Sequence, residues 1–145
     1  MELARDGGVM ILGIGFDLLE VSRLVRALGE HGSRFEDRVF TSRELADCST
    51  RADRTQALAA RFAAKEACLK ALGTGWSQGL TFQQVEVIRT EDGRPVLQLL
   101  GAARERADRM GVRRAHVTLT HQRGVAGAVV VLEGEPDRDP VSSLS

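Results

Sequence analysis

Apolar positions along the chain change period several times, and each change predicts an element. Val9 to Phe16 is a short apolar run rich in β-branched residues and glycine, which predicts a buried strand with Asp17 at its end. From Leu18 the spacing turns helical through Val21, Leu24, Val25 and Leu28, with Gly29 or Gly32 closing the helix and Arg23 and Arg26 on its polar side. Arg34 to Phe40 reads as a mixed connection. Thr41-Ser-Arg-Glu44 is a capping box, in which the threonine hydroxyl accepts from the backbone three residues on while the glutamate reaches back, so a short helix is expected there. Asp53-Arg-Thr-Gln56 has the same logic and opens a long central helix that ends near Gly73-Thr74-Gly75.

Beyond that helix the pattern favours strands. Phe82 to Arg89 and Pro95 to Leu100 are β-type runs joined by Glu91-Asp92-Gly93-Arg94, where Asp-Gly is a hairpin signal. Ala102 to Met110 is helical and stops at Gly111. His116 to His121 alternates, which puts Val117, Leu119 and His121 on one strand face and His116, Thr118 and Thr120 on the other; Ala126 to Leu132 is a further buried strand. The expected class is α+β, an antiparallel or mixed sheet packed against the long central helix. Residues 1–8 are expected to be a flexible extension, 9–134 the folded domain and 135–145 a flexible tail.

The central helix carries a misplaced charge. At about 100° per residue, Leu58, Leu69 and Phe62 fall on one stripe that continues through Ala59 and Ala63, and Glu66 lands inside it. Lys70 lies one turn further on, beside Glu66, while Arg61 and Lys65 fall on the flank beside Leu58; Arg61, Lys65 and Lys70 are candidates to face phosphates, though basic residues on a helix are usually solvated charge. Glu66 is either half of an i,i+4 pair with Lys70 at the rim or a carboxylate that is paired, protonated or metal-bound. Asp17 is the second acid such a site needs. Two carboxylates suffice for magnesium, which leaves its other positions to water and phosphate oxygens. Gly13-Ile-Gly15-Phe-Asp-Leu18 lacks the third glycine of a dinucleotide-binding turn, so its glycines are read as room for close packing. A histidine beside Val117 and Leu119, as His121 is, is more often a core or rim residue than a ligand.

Composition narrows the classes. With 43% hydrophobic and 28% charged residues and a formal net charge of zero, the 145-residue chain reads as one globular domain and not as a nucleic-acid binder. Cys48 and Cys68 form no CxxC pattern and are expected as reduced thiols in a cytoplasmic protein. The start of the chain has acids and only a short apolar run, so neither a signal peptide nor a membrane span is expected.

Taken together, the motifs resemble those of holo-(acyl carrier protein) synthase, the small 4'-phosphopantetheinyl transferase. Gly13-Ile-Gly-Phe-Asp17 with Leu19, Glu20, Val21 and Arg23 resembles the family's opening block, and Arg34-Phe35, Arg38 and Phe40-Thr41 with Glu44 its second. Arg61-Phe-Ala-Ala-Lys-Glu66-Ala with Lys70-Ala-Leu-Gly-Thr-Gly75 resembles its signature, and Gly93-Arg-Pro95 and His116-Val-Thr-Leu-Thr-His121 follow in order. Thr118 and Thr120 stand where the family often has serine, and Gln122 where an acidic or small residue is frequent.

The resemblance implies the phosphopantetheinyl transferase fold. It also implies transfer of the 4'-phosphopantetheine arm of coenzyme A to a serine of an apo acyl carrier protein, of fatty-acid biosynthesis or of polyketide synthesis, releasing adenosine 3',5'-bisphosphate. By position, Asp17 and Glu66 would bind magnesium, and Glu66, directly or through a water, would take the serine proton. Lys70 and His121 would contact phosphates, with Arg61 nearby, and Gly73, Thr74 and Pro95 would border the nucleotide. Arg23, Arg26, Arg34, Phe35 and Arg38 would receive the acidic helix of the carrier protein. Family members of this size imply a homotrimer with active sites between subunits.

Overall fold

Residues 8–73 and 79–136 are described in the computed structural model, and their elements run from Met10 to Gly134. Thr74, named above as a nucleotide neighbour, lies outside the described residues, as do 1–7 of the expected extension and 137–145 of the expected tail. Strand β1 (Met10–Glu20) leads into helices α1 (Val21–His31), α2 (Ser33–Val39), α3 (Ser42–Cys48) and the long α4 (Arg54–Leu72). A 3-10 turn at Phe82–Gln84 precedes the hairpin of β2 (Val85–Arg89) and β3 (Pro95–Leu99), and α5 (Gly101–Met110) precedes the hairpin of β4 (Val112–Gln122) and β5 (Val125–Gly134). The strands form an antiparallel three-stranded sheet in the order β1-β5-β4 and a two-stranded sheet of β2 and β3.

Helix α4 is the centre of the molecule and is wrapped rather than amphipathic. Thirteen of its 19 residues are buried, six of them alanines between Ala59 and Ala71 that let neighbouring backbones approach closely. The sheet lies across it: Ala128, Val130 and Leu132 of β5 join Ala63, Ala67 and Ala71 in the main core, and Ala126 joins Leu58, Ala59 and Ala60 in a second. Gly13 and Gly15 of β1 are required by this contact. A Cβ at Gly13 would lie 2.2 Å from the Ala71 carbonyl oxygen, and one at Gly15 would lie 1.7 Å from that of Ala67. The glycines therefore serve strand-on-helix packing, as their spacing suggested.

Four expectations are corrected. β1 does not end at Phe16: Asp17, Leu18, Leu19 and Glu20 stay in register with Ala128, Gly127, Ala126 and Val125, and α1 begins only at Val21. Leu18 is 60% exposed on the outer sheet face, so the apparent helical start was strand alternation. Arg34 to Phe40 is not a loop but mostly α2, whose Phe35 and Val39 sit one turn apart on its inner side, after Gly32 breaks the chain at φ 56°. The capping box at Thr41 is present in both halves, with Glu44 N–H donating to Thr41 Oγ1 at 3.3 Å and Thr41 N–H to Glu44 Oε1 at 2.9 Å. That expected at Asp53 is absent, because the Arg51 guanidinium engages both carboxylate oxygens, at 2.8 and 2.9 Å. Phe82 to Gln84 is a 3-10 turn and not strand, because Thr81 and Gln84 form a capping box of their own.

Candidate active site

Asp17 lies on the helix-facing side of β1, two and four residues beyond the glycines that seat the strand on α4. That seating brings it beside Glu66 and Lys70, which are one turn apart on α4. Lys70 donates to Asp17 Oδ1 at 3.0 Å and to the Phe16 carbonyl at 3.1 Å. Asp17 and Glu66 both line a cleft of about 380 Å³, walled by Leu18, Leu19, Leu24, Ala27, Phe35 and Phe62, with Arg23 at its margin. Half-burial raises the proton affinity of Glu66, the Asp17 charge raises it further, and Lys70 opposes both.

Two facing carboxylates, one short of counter-charge, suit a hard divalent cation. Among the described residues no cluster of three or more His, Cys, Asp or Glu could hold a metal, so other ligands would be water and phosphate oxygens. The donor set is oxygen only, which fits a hard cation such as magnesium.

The cleft continues into an aromatic wall. The Phe35 and Phe62 rings are 6.1 Å apart, and Phe62 and Phe82 are 5.1 Å apart. Phe35 also borders a second hollow of about 200 Å³ lined by His31, Arg34 and Arg38. Arg23, Arg34 and Arg38 are exposed around these openings, and Arg26 is exposed on α1. Of the five residues expected to receive a carrier protein, Arg23, Arg34, Phe35 and Arg38 line these two openings, and Arg26 lines neither.

The remaining expected residues lie elsewhere in the subunit. His121, at the end of β4, has Nε2 3.8 Å from Asp53 Oδ2 at the start of α4 and is not part of the cleft lining. Gly73 caps α4 in the left-handed conformation with φ 77°, beside Arg106, whose Nε donates to the Leu72 carbonyl at 3.1 Å. Pro95 opens β3, opposite Arg89.

Arg61 and Lys65, named above as candidates to face phosphates, are both 0% exposed. Arg61 donates to the Ala57 carbonyl at 3.4 Å, while its Nε and Nη2 are buried with no hydrogen-bond partner. Its charge acts on Cys48 and Arg89, and Arg51 acts on both as well, so three guanidiniums gather on the side of α4 that carries Asp53 and His121. Helical spacing places Arg61 on the flank but carries no signal of α3 and β2 folding over it. Arg51 and Arg89 had no motif that would have drawn attention to them. Cys48 and Cys68 are free and buried; burial raises both thiols, Cys68 to about 12, which removes them as nucleophiles.

Comparison with known proteins agrees with this geometry. The family model described as the 4'-phosphopantetheinyl transferase superfamily matches residues 13–129. A holo-[acyl-carrier-protein] synthase of Maridesulfovibrio salexigens is 45% identical over 124 residues, covering 86% of this chain and 99% of the relative. One from Methylorubrum populi is 49% identical over 131 residues, covering 88% and 96%. Among solved structures, holo-[acyl-carrier-protein] synthase from Neisseria meningitidis superposes with a TM-score of 0.77 at 31% identity, over 85% of this chain and 98% of that one. The Helicobacter pylori enzyme in complex with coenzyme A gives 0.73 at 28% identity, over 82% and 98%. With the sheet seated on α4, the paired carboxylates and matches across nearly the whole folded region, the chain belongs to the 4'-phosphopantetheinyl transferase superfamily and, within it, to the holo-(acyl carrier protein) synthases, which are transferases.

Proposed function

We propose that this chain, with residues 9–134 as its catalytic domain, transfers the 4'-phosphopantetheine arm of coenzyme A to a serine of an apo acyl carrier protein in a magnesium-dependent reaction. The observation that carries the reading is that Asp17 and Glu66 line one cleft, with Lys70 bonded to Asp17 and Arg23 in the same lining. The serine oxygen attacks the β-phosphorus as its proton passes to Glu66. The bond from that phosphorus to the bridging oxygen breaks, and adenosine 3',5'-bisphosphate leaves with the electron pair. Glu66 suits the proton transfer because burial and the Asp17 charge raise its proton affinity. Asp17 and Glu66 would hold magnesium, which when bound supplies positive charge against the pyrophosphate oxygens. Lys70, 56% exposed and within reach of the same cleft, meets the charge that develops on the leaving group.

The nucleotide end of coenzyme A falls to a second group. His121 is the contact at the start of α4, where Arg51, the buried Arg61 and the exposed Arg89 sum to a positive field; Arg61 acts there without surface contact. Gly73, Thr74 and Pro95 border the nucleotide in this reading, and Arg23, Arg26, Arg34, Arg38 and Phe35 receive the acidic helix of the carrier protein.

The two groups are complementary if the enzyme is a homotrimer with active sites between subunits. Support comes from the outer face of the three-stranded sheet, where Ile14, Phe16 and Leu18 are 61, 55 and 60% exposed beside Val129 and Val131. An apolar stripe of this length is unusual on a free surface. No helix of the described residues is long and apolar enough to cross a membrane, and two buried free thiols fit a reducing compartment, so the cytoplasm is proposed.

Intact-mass spectrometry of an apo acyl carrier protein incubated with the enzyme, coenzyme A and magnesium tests the reading. The expected result is a gain of one phosphopantetheine arm, abolished by chelator. No gain on any of several carrier proteins overturns it.

A further inference from the structure

Lys65 and Glu44 form an ion pair at 2.7 Å in which both side chains are 0% exposed. Every polar hydrogen and oxygen of the pair has a partner. The ammonium donates to Glu44, to the Val85 carbonyl at 2.6 Å and to the Phe82 carbonyl at 3.0 Å, which uses its three protons. Glu44 Oε1 also accepts from Thr41 N–H at 2.9 Å, and Oε2 accepts from Val87 N–H at 2.8 Å. Burial pulls the Lys65 proton affinity down and Glu44 opposes that pull. The pair thus bolts α4 to α3, to the 3-10 turn and to β2 at one level of the helix.

That level is where the cleft needs accuracy. Lys65 precedes Glu66, so the side chain that fixes the rotation of α4 about its axis sits about 100° from the one that must face Asp17. On the sheet side, Gly13 and Gly15 fix the distance of β1 from the helix but leave its rotation open, since they meet only backbone atoms. The bolt also reaches the aromatic wall: the Phe82 carbonyl that accepts from Lys65 belongs to the residue whose ring stacks on Phe62, and Phe62 and Glu66 are one turn apart in the cleft lining.

We infer that Lys65, held by Glu44, is a positioning residue: it sets the rotation of α4 that turns Glu66 toward Asp17 and holds Phe62 in the cleft. This rests on the proposed roles of Asp17 and Glu66. A buried ion pair is a poor way to gain stability, because apolar replacements of similar volume are often neutral or stabilising, so stability and positioning are separable here.

The test is the double variant Glu44→Gln/Lys65→Met in the full chain, read by thermal melting and by phosphopantetheine transfer to an apo acyl carrier protein across a magnesium titration. The expected result is a melting midpoint close to that of the parent enzyme, with the half-saturating magnesium concentration raised and the limiting rate lowered, each by about tenfold or more. A parent-like magnesium curve in the folded variant overturns the inference. If the double variant does not fold, Lys65→Arg, which keeps the charge but moves its centre, is read by the same curve and the same rule. Failure of the underlying reading looks different: Asp17→Asn and Glu66→Gln would then leave the parent enzyme's magnesium response unchanged.

Discussion

Glu66 was visible in the sequence because a carboxylate among Leu58, Phe62, Ala63 and Leu69 breaks a pattern that the neighbouring positions keep. The burial of Lys65 and Arg61 has no such local signal. Their positions on the helix were right, but what lies across from a flank is decided by chain far away in sequence, here α3 and β2. The environment of Glu66 has a measurable consequence in the metal-free enzyme. Folding raises its proton affinity, so the folded state binds the proton at a higher pH than the unfolded chain does. The associated stability is fully present below the ordinary carboxylate range and is lost as pH rises through the folded-state value. In chelator, melting temperature should therefore fall as pH increases through that window, and Glu66→Gln should flatten the dependence while leaving the protein at least as stable near neutral pH. The same variant should lose transfer activity by about a hundredfold or more, as expected for removing a general base. A Glu66→Gln melting profile that parallels the parent at every pH would remove burial and the Asp17 charge as the cause.

At the scale of elements, local signals were read well where the partners are local. The Thr41–Glu44 capping box is satisfied by residues three apart, and Gly73 and Gly111 end α4 and α5 in the left-handed conformation that glycine favours. Asp53 carried an equally good local signal, yet Arg51 outcompetes the helix start for its carboxylate. β1 was cut short because Leu18, Val21, Leu24, Val25 and Leu28 give helical spacing across a boundary that only pairing with β5 fixes. The spacing of Gly13 and Gly15, by contrast, foretold close packing though not its partner. The contact of β1 with α4 is what carries Asp17 to Glu66, so its geometry is testable through the strand. Gly15→Ala places a Cβ where the Ala67 carbonyl oxygen stands, 1.7 Å away, and neither is the end of a flexible side chain. The expected cost is at the upper end of the ~1–3 kcal/mol typical of overpacking or beyond it, read as a lowered denaturation midpoint. Activity should fall further than the loss of folded protein accounts for, since the strand that moves bears Asp17. A parent-like midpoint would mean that β1 does not lie against α4 as closely as described.

For the whole molecule, two facts about one subunit belong together. The outer sheet face leaves Ile14, Phe16 and Leu18 more than half exposed, and His121 is absent from the cleft that Asp17 and Glu66 share. Neither was legible in the alternation of β1, because alternation tells which residues share a face and not whether a second copy covers it. A cyclic assembly through this face would bury the stripe and bring the His121 end of one subunit to the carboxylates of the next. The arrangement predicts complementation. Asp17→Ala and His121→Ala chains should each be nearly inactive alone, since every site in either homotrimer lacks one group. Denatured together and refolded in equal amounts, they form mixed rings in which a site works when an Asp17-bearing chain meets a His121-bearing neighbour. Random assembly makes that pairing about one site in four, so roughly a quarter of parental activity should return. If each chain instead builds its whole site alone, every site in the mixture still lacks one group and refolding restores nothing. Size-exclusion chromatography with light scattering on Phe16→Glu separates the remaining alternative. A charge in the stripe should yield monomers without transfer activity, whereas an active monomer would show that the open face serves no catalytic assembly.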